Sequence, residues 1–337
     1  MNSKILIMKT LYDSLKTIPL FFIALILIAS GCSNEPIQND EPVLKNSNSK
    51  TSKVQICHFN KSDNNWVIIT ISSNALDTHL NHGDRICSDI TYIPDDNFEQ
   101  ALIDLGYDIG PLDDYVPTEN IIDVTSLRVD NRNIRDLTGI SDFSSLEFLG
   151  CNNNYLTSLN ISNNKALKYL NCYYNPLSSI DVSGAESLIA LACYGHALTS
   201  LDISNNLKLE RLICNGGNLQ NLDVSKNTAL TYLSCNNTNL ESLDISKNTA
   251  LITLGCGWNK LTSLDVSQNK ALTSLFCSDN ELVSLNVKNG NNTNFTLFRV
   301  YNNPYLTCIE VDNASWSSDN WLEKDAIASY SEKCVDK

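Results

Sequence analysis

Seven cysteines, Cys151, Cys172, Cys193, Cys214, Cys235, Cys256 and Cys277, follow one another at intervals of 21 residues. A spacing held that strictly means that each segment does the same structural job and that equivalent positions stack in space. Aligned on the cysteines, the segments read Leu-x-x-Leu-x-Cys-x-x-Asn-x-Leu-x-x-Leu-x-Val/Ile, as in Leu251, Leu254, Cys256, Asn259, Leu261, Leu264 and Val266. One such segment carries too few apolar side chains to offset the entropy lost in ordering it. Stacking is therefore obligatory, because only a pile of coils builds a continuous core. A variant segment precedes the series at Val124, Leu127 and Val129, and another follows at Phe295, Phe298 and Val300, giving about nine repeats over residues 124–309.

This motif resembles the leucine-rich repeat, with Cys where the third strand Leu usually stands, and is similar to internalin-like and flavobacterial surface proteins. The resemblance implies a solenoid with parallel β on the concave face and a mostly irregular convex side. It also implies an asparagine ladder at Asn154, Asn175, Asn259, Asn280 and Asn303, which His196, Gly217 and Thr238 interrupt. The cysteine column has an odd number of members on identical strand positions, so it reads as buried, reduced, small hydrophobic side chains rather than disulfides. A second column, Asp181, Asp202, Asp223, Asp244 and Asp265, bounded by Asn160 and Asn286, reads as turn-forming carboxylates; calcium bridging is the alternative.

A solenoid needs both ends covered. Residues 91–123 supply an N-terminal cap, with Asp96 and Glu99 spaced as a capping box before the apolar Ala101–Leu105 and Gly106 as the stop. Asp108, Asp113 and Asp114 follow and carry at most a calcium reading. Residues 310–337 form the C-terminal cap, closed by a disulfide between Cys308 and Cys334 across Trp316 and Trp321.

Ahead of the caps, residues 54–90 form a small separate α+β module holding three of the four histidines. Val67–Ile71 predicts a strand, and Ser73 to His82 a short helix ended by Gly83. Two readings stand for its Cys and His: a Cys57–Cys87 disulfide, or a zinc site using His58, His79 and His82 with those cysteines. The segment Cys57-His58…His79-Leu80-Asn81-His82-Gly83-Asp84 resembles a small module of other bacterial exported proteins, with no activity to carry over.

Residues 1–31 read as an export signal, with Lys4, Lys9 and Lys16 before an apolar run from Ile18 to Ala29 that is too short to span a bilayer. Ile28-Ala29-Ser30-Gly31-Cys32 resembles a bacterial lipobox, which implies lipidation of Cys32 and anchoring in a membrane. Residues 32–53 are then a disordered tether; Ser33, with the acidic residue that follows it, resembles an outer-membrane export cue and implies display at the cell exterior.

The formal charge of -14 opposes binding to phosphate backbones and excludes nucleic acid as a partner. No nucleophile triad, phosphate loop or framed carboxylate pair appears, so the chain reads as non-enzymatic. The positions flanking the inward Leu and Cys carry Phe148, Tyr169, Tyr173, Tyr174, Tyr194, Arg211, Tyr232, Trp258, Phe276, Arg299 and Tyr301. Aromatics and Arg are the side chains enriched at interface hot spots, so this face predicts recognition of a protein or glycan. The competing readings are a zinc protein or metalloenzyme built on the histidine module, and a structural spacer with no ligand.

Overall fold

The computed structural model describes residues 53–60, 65–86 and 90–334. Cys32, the export signal and nearly all of the tether lie outside these residues, as does Cys87, so the expected lipid anchor and the Cys57–Cys87 pairing fall outside the description. No helix among the described residues is long and apolar enough to cross a membrane.

The first module is a three-stranded sheet. β1 (Lys53–Asn60) pairs antiparallel with β2 (Asn65–Ser72) on one side and with β3 (Arg85–Ile86) on the other. Between β2 and β3 a 3₁₀ turn, Ser73–Ala75, capped by the Ser72 hydroxyl, runs into helix α1 (Leu76–Asn81). Gly83 then takes φ +94°, a left-handed conformation that turns the chain out of the helix and that a residue with a Cβ adopts only with strain.

Next comes the N-terminal cap, where β4 (Ile90–Tyr92) and β5 (Tyr115–Pro117) pair antiparallel and α2 (Asp96–Asp104) lies between them in sequence. The helix is capped one residue earlier than the capping-box spacing predicts. Asp95 accepts from the backbone N–H of Asn97 and Phe98, at 3.0 Å each. Its other oxygen accepts from the N–H groups of Arg135 and Asp136 at 2.7 and 3.0 Å, fastening the helix to the first coil. Glu99 does not reach back to the helix start; it is buried and accepts from the N–H groups of Asp113 and Asp114 at 2.7 and 3.0 Å. Burial pushes its pKa up to about 6, against the pull of those two bonds. Phe98, Ala101 and Leu102 bury the helix's apolar face, and a further turn, α3 (Thr118–Ile121), leads into the repeats.

Nine strands, from Ser126–Arg128 to Leu297–Arg299, then form one parallel sheet in chain order. Each pairs in register with the equivalent position of the next coil, as in Tyr169↔Ala190, Ala190↔Arg211 and Arg211↔Tyr232, so one sequence period is one step of the stack. In the seven central strands the middle Leu points inward and the cysteine that follows it is buried with it; Leu127 with Val129 and Phe298 with Val300 take these places in the first and last strands. All seven cysteines are unpaired thiols, and burial drives their pKa values up, that of Cys193 to about 12. They are uncharged packing atoms, as the odd count predicts.

Stacking buries peptide groups at the turns, and asparagine side chains satisfy them. Asn259 is typical: its Nδ2 donates to the Cys235 and Cys256 carbonyls at 2.9 and 3.0 Å, and its Oδ1 accepts from the N–H groups of Thr238 and Leu240. Asn154, Asn175, Asn280 and Asn303 repeat this. At the interruption Thr238 donates its hydroxyl to the Cys235 carbonyl, and Nδ1 of the buried His196 accepts from the Leu198 N–H. Burial lowers the His196 pKa, which keeps the ring neutral.

A second ladder, absent from the sequence reading, lines the far turn. Asn164, Asn206, Asn227, Asn248 and Asn269 are fully buried and each donates Nδ2 to two backbone carbonyls, Asn227 to those of Ile203 and Asn206 at 3.0 Å each. One member is missing, at Ala185, and beside it Gly184 lies so close to the coil below that a Cβ would fall 1.7 Å from the Ser162 carbonyl oxygen. The exposed Asp column forms Asx turns: Asp181, Asp202, Asp223, Asp244 and Asp265 each accept from the N–H of the serine two residues on, at 2.8–3.0 Å. Each carboxylate thus has a backbone partner within its own turn.

At the other end, parallel strands at Cys308–Glu310 and Ser329–Ser331 and helix α4 (Ala314–Asn320) close the stack. Trp321 stacks on Phe298 at 4.0 Å, and the Tyr330 hydroxyl donates to the Trp321 carbonyl at 2.8 Å. The Cys308–Cys334 disulfide, Cα–Cα 6.0 Å, ties the tail down as expected.

Replacing Asn227 with Ala removes its two buried hydrogen bonds to the Ile203 and Asn206 carbonyls, each of which keeps one backbone N–H partner, and is expected to cost about 1–3 kcal/mol by urea unfolding, whereas Asp223→Ala on the exposed turn costs well under that. Hydrogen bonds from the following serines hold Asp181, Asp202, Asp223 and Asp244 below the usual carboxylate pKa. Their contribution is present above the unfolded value of about 3.9 and is lost as pH falls through the native values. Glu99 has the opposite sign: its raised native pKa costs stability as pH climbs from the unfolded value of about 4.3 toward about 6. Melting temperatures followed against pH should show both limbs, and Glu99→Gln should remove only the upper one.

Candidate functional site

Strand side chains alternate, so the residues flanking each inward Leu stand on the outer face of the nine-stranded sheet. One outward column runs Phe148, Tyr169, Ala190, Arg211, Tyr232 through consecutive register pairs. The Arg128 guanidinium lies 4.2 Å over the Phe148 ring, and that of Arg211 lies 4.1 Å over Tyr232. Tyr169 remains exposed beside Phe148. Just past the strands, Tyr173 and Tyr194 occupy one position of adjacent coils and stack at 4.5 Å with planes 3° apart. That separation is set by the strand spacing of ~4.8 Å. Tyr174 meets both rings edge-on, at 5.5 and 5.1 Å. Between this cluster and Arg211 the face is low, because Ala190, Ala192 and Gly195 carry almost no side chain.

Two of the expected contact residues have supporting positions instead. Phe276 is only 6% exposed; its ring occupies the space a Cβ on Gly257 would need, and it backs Trp258 at 5.0 Å. Arg299 is paired with Glu323 at 2.6 Å, which commits it to the C-terminal cap. Tyr301 is half-buried at the last coil.

Two residues after each cysteine position the backbone turns with positive φ. The column reads Asn131, Asn153, Tyr174, Gly195, Gly216, Asn237, Trp258, Asp279 and Asn302, with φ between 53° and 75°. Seven members are Asn, Gly or Asp, the types that enter this region at least cost. Tyr174 and Trp258 are not, and a bulky residue held there costs on the order of 1–3 kcal/mol. The strain sits beneath the two aromatic clusters. The signal was present in the sequence as a column of Asn, Gly and Asp two residues after Cys, although its conformation is visible only in the coordinates.

In the small module the structure brings together His58, His79 and Asp84. The Asp84 carboxylate lies 2.9 Å from Nδ1 of His58 and 2.6 Å from Nδ1 of His79. Burial raises the Asp84 pKa, but the bonds from both imidazoles outweigh it and hold the group below the usual carboxylate value. His82, expected to share a helix face with His79, is instead the exposed residue that ends α1. Cys57 is buried. Helical spacing points to the third histidine, whereas the position of Asp84 depends on the Gly83 turn.

Among known proteins, no family model matches the chain and no curated protein matches it. Solved structures do. An internalin (inlF) from Listeria monocytogenes is 21% identical over 71% of this chain and 77% of its own, with a TM-score of 0.52. The functional domain of InlJ from Listeria monocytogenes, which includes a cysteine ladder, is 26% identical, with a TM-score of 0.39; the match covers 66% of each chain. A leucine-rich-repeat protein of Leptospira interrogans is 25% identical over 50% of this chain and 46% of that one, with a TM-score of 0.43. The likeness to the internalin, together with the in-register parallel coils, establishes the fold as a leucine-rich-repeat solenoid.

Because Tyr174 is strained and nearly half exposed, Tyr174→Asn is expected to keep or raise stability, by up to about 1 kcal/mol, in urea unfolding. A loss larger than that would mean the Tyr173 and Tyr194 contacts outweigh the strain.

Proposed function

We propose that the chain is a non-enzymatic recognition protein that holds a protein or glycan against the outer face of its nine-stranded sheet. The observation that carries this reading is the pair of large aromatics, Tyr174 and Trp258, kept at turn positions where the other coils use Asn, Gly or Asp. A residue retained against a backbone penalty at the surface, beside stacked tyrosines and an Arg laid over a Tyr ring, has the chemistry of an interface anchor. Tyr and Trp lose little rotamer entropy on binding and offer both an apolar face and a polar edge. On this reading Tyr169, Tyr173, Tyr174, Tyr194, Arg211 and Trp258 touch the ligand, while Phe148, Tyr232 and Phe276 hold them in place. Cys32 carries the lipid that anchors the chain in the outer membrane facing outward, with residues 33–53 as the spacer. The lipobox-like run ending at Gly31-Cys32 supports that part.

Screening a glycan array and pulling down partners with the purified chain identifies the ligand. Tyr173, Tyr194 and Trp258 changed together to Ala are then expected to reduce binding at least ~100-fold, since anchors of this kind are worth 2 kcal/mol or more each. The circular dichroism spectrum should stay that of the wild type. Equal binding by the folded triple variant would move the ligand site off this face.

A further inference from the structure

We propose that His58, His79 and Asp84 form a site for one first-row transition-metal dication, of which zinc is the probe of choice. Backbone geometry dictates the convergence. β3 pairs with β1 through Ile56↔Ile86 and Cys57↔Arg85, so the next step of that antiparallel register sets Asp84 opposite His58. His79 arrives from the other side, in the last turn of α1. The left-handed Gly83 folds the chain back, and the Asp84 N–H donates to the His79 carbonyl at 3.1 Å, which directs the Asp84 side chain at the His79 ring. Three ligand atoms, one from each residue, lie within 4.8 Å of one another.

The donor set selects the class of ion. Two imidazole nitrogens and one carboxylate oxygen suit zinc and its first-row neighbours, whereas calcium takes six to eight oxygens and magnesium is held through carboxylates and water. The Asp84 carboxylate is only 4% exposed, and a buried charge needs compensation, which a bound dication supplies directly. The imidazoles, at 41% and 28% exposure, leave an entry path and an open coordination position for water or a further ligand. Binding takes each imidazole with its hydrogen on Nε2, so that the Nδ1 lone pair faces the ion, and any hydrogen held between Nδ1 and Asp84 passes to solvent. The ligand atoms separate by a few tenths of an ångström to stand about 2.0–2.1 Å from the metal.

The test is titration of the chelator-treated full chain with zinc by calorimetry, followed by the visible spectrum of the cobalt-loaded protein. The expected result is saturable uptake of one ion per chain, weakened at least ~10-fold in each of His58→Gln, His79→Gln and Asp84→Asn, and unchanged in His82→Gln. Cobalt bands without thiolate charge transfer support the nitrogen and oxygen set. Because Asp84→Asn perturbs the turn, the cobalt spectrum of the wild-type chain gives a second reading that needs no variant. Absence of saturable zinc uptake, uptake untouched by the His58 and His79 variants, or a thiolate-to-cobalt band would each overturn the assignment.

Discussion

Every coil of this protein is held to its neighbours by peptide hydrogen bonds, and the turns between strands are where those bonds run out. A tight turn buried inside a stack leaves carbonyls and amides that water cannot reach, each costing about as much as a lost hydrogen bond. Two columns of asparagine meet that need, one at each bend: the Asn259 column uses both the donors and the acceptor of its amide, whereas the Asn227 column works through its Nδ2 donors alone. With Asn259 bonded to the backbone of its own coil and of the coil before it, and Asn227 reaching back to two carbonyls of the preceding coil, the amides fix the step height from one coil to the next. The apolar core and the register of the sheet follow from that step.

The stack in turn sets what the outer face can display. Side chains at one repeat position recur at the strand spacing, so aromatic rings in successive coils fall naturally into stacking distance, as Tyr173 and Tyr194 do. The guanidinium of Arg211 lies over Tyr232 for the same reason. The face is thus a small lattice whose geometry the backbone supplies, while the side chains carry the chemistry.

Periodicity made the stack readable in the sequence, because a strict 21-residue recurrence of Leu and Cys admits few folds. The reduced cysteine column and the Cys308–Cys334 bridge were legible from parity and position. The second asparagine ladder was equally periodic, but its members sit among Ser, Asn and Lys and look like surface turn residues until burial is known. Helix caps are decided by φ, ψ and local competition, which is why Asp95 rather than Asp96 holds α2. The histidine cluster is hard to read for a comparable reason: helical spacing points at His82, whereas a strand register and one glycine turn bring Asp84 into reach. Columns survive translation from sequence to space, and convergence of distant segments does not.

The seven thiols recur at one position of neighbouring coils, and all are unpaired and hidden. Burial in the stacked coils keeps each thiol protonated and out of reach of an oxidant, which needs an accessible thiolate. The one bond that does form among the described cysteines, Cys308–Cys334, lies beyond the thiol column and fastens the tail to the end of the stack, so covalent closure and close packing are kept to different parts of the chain.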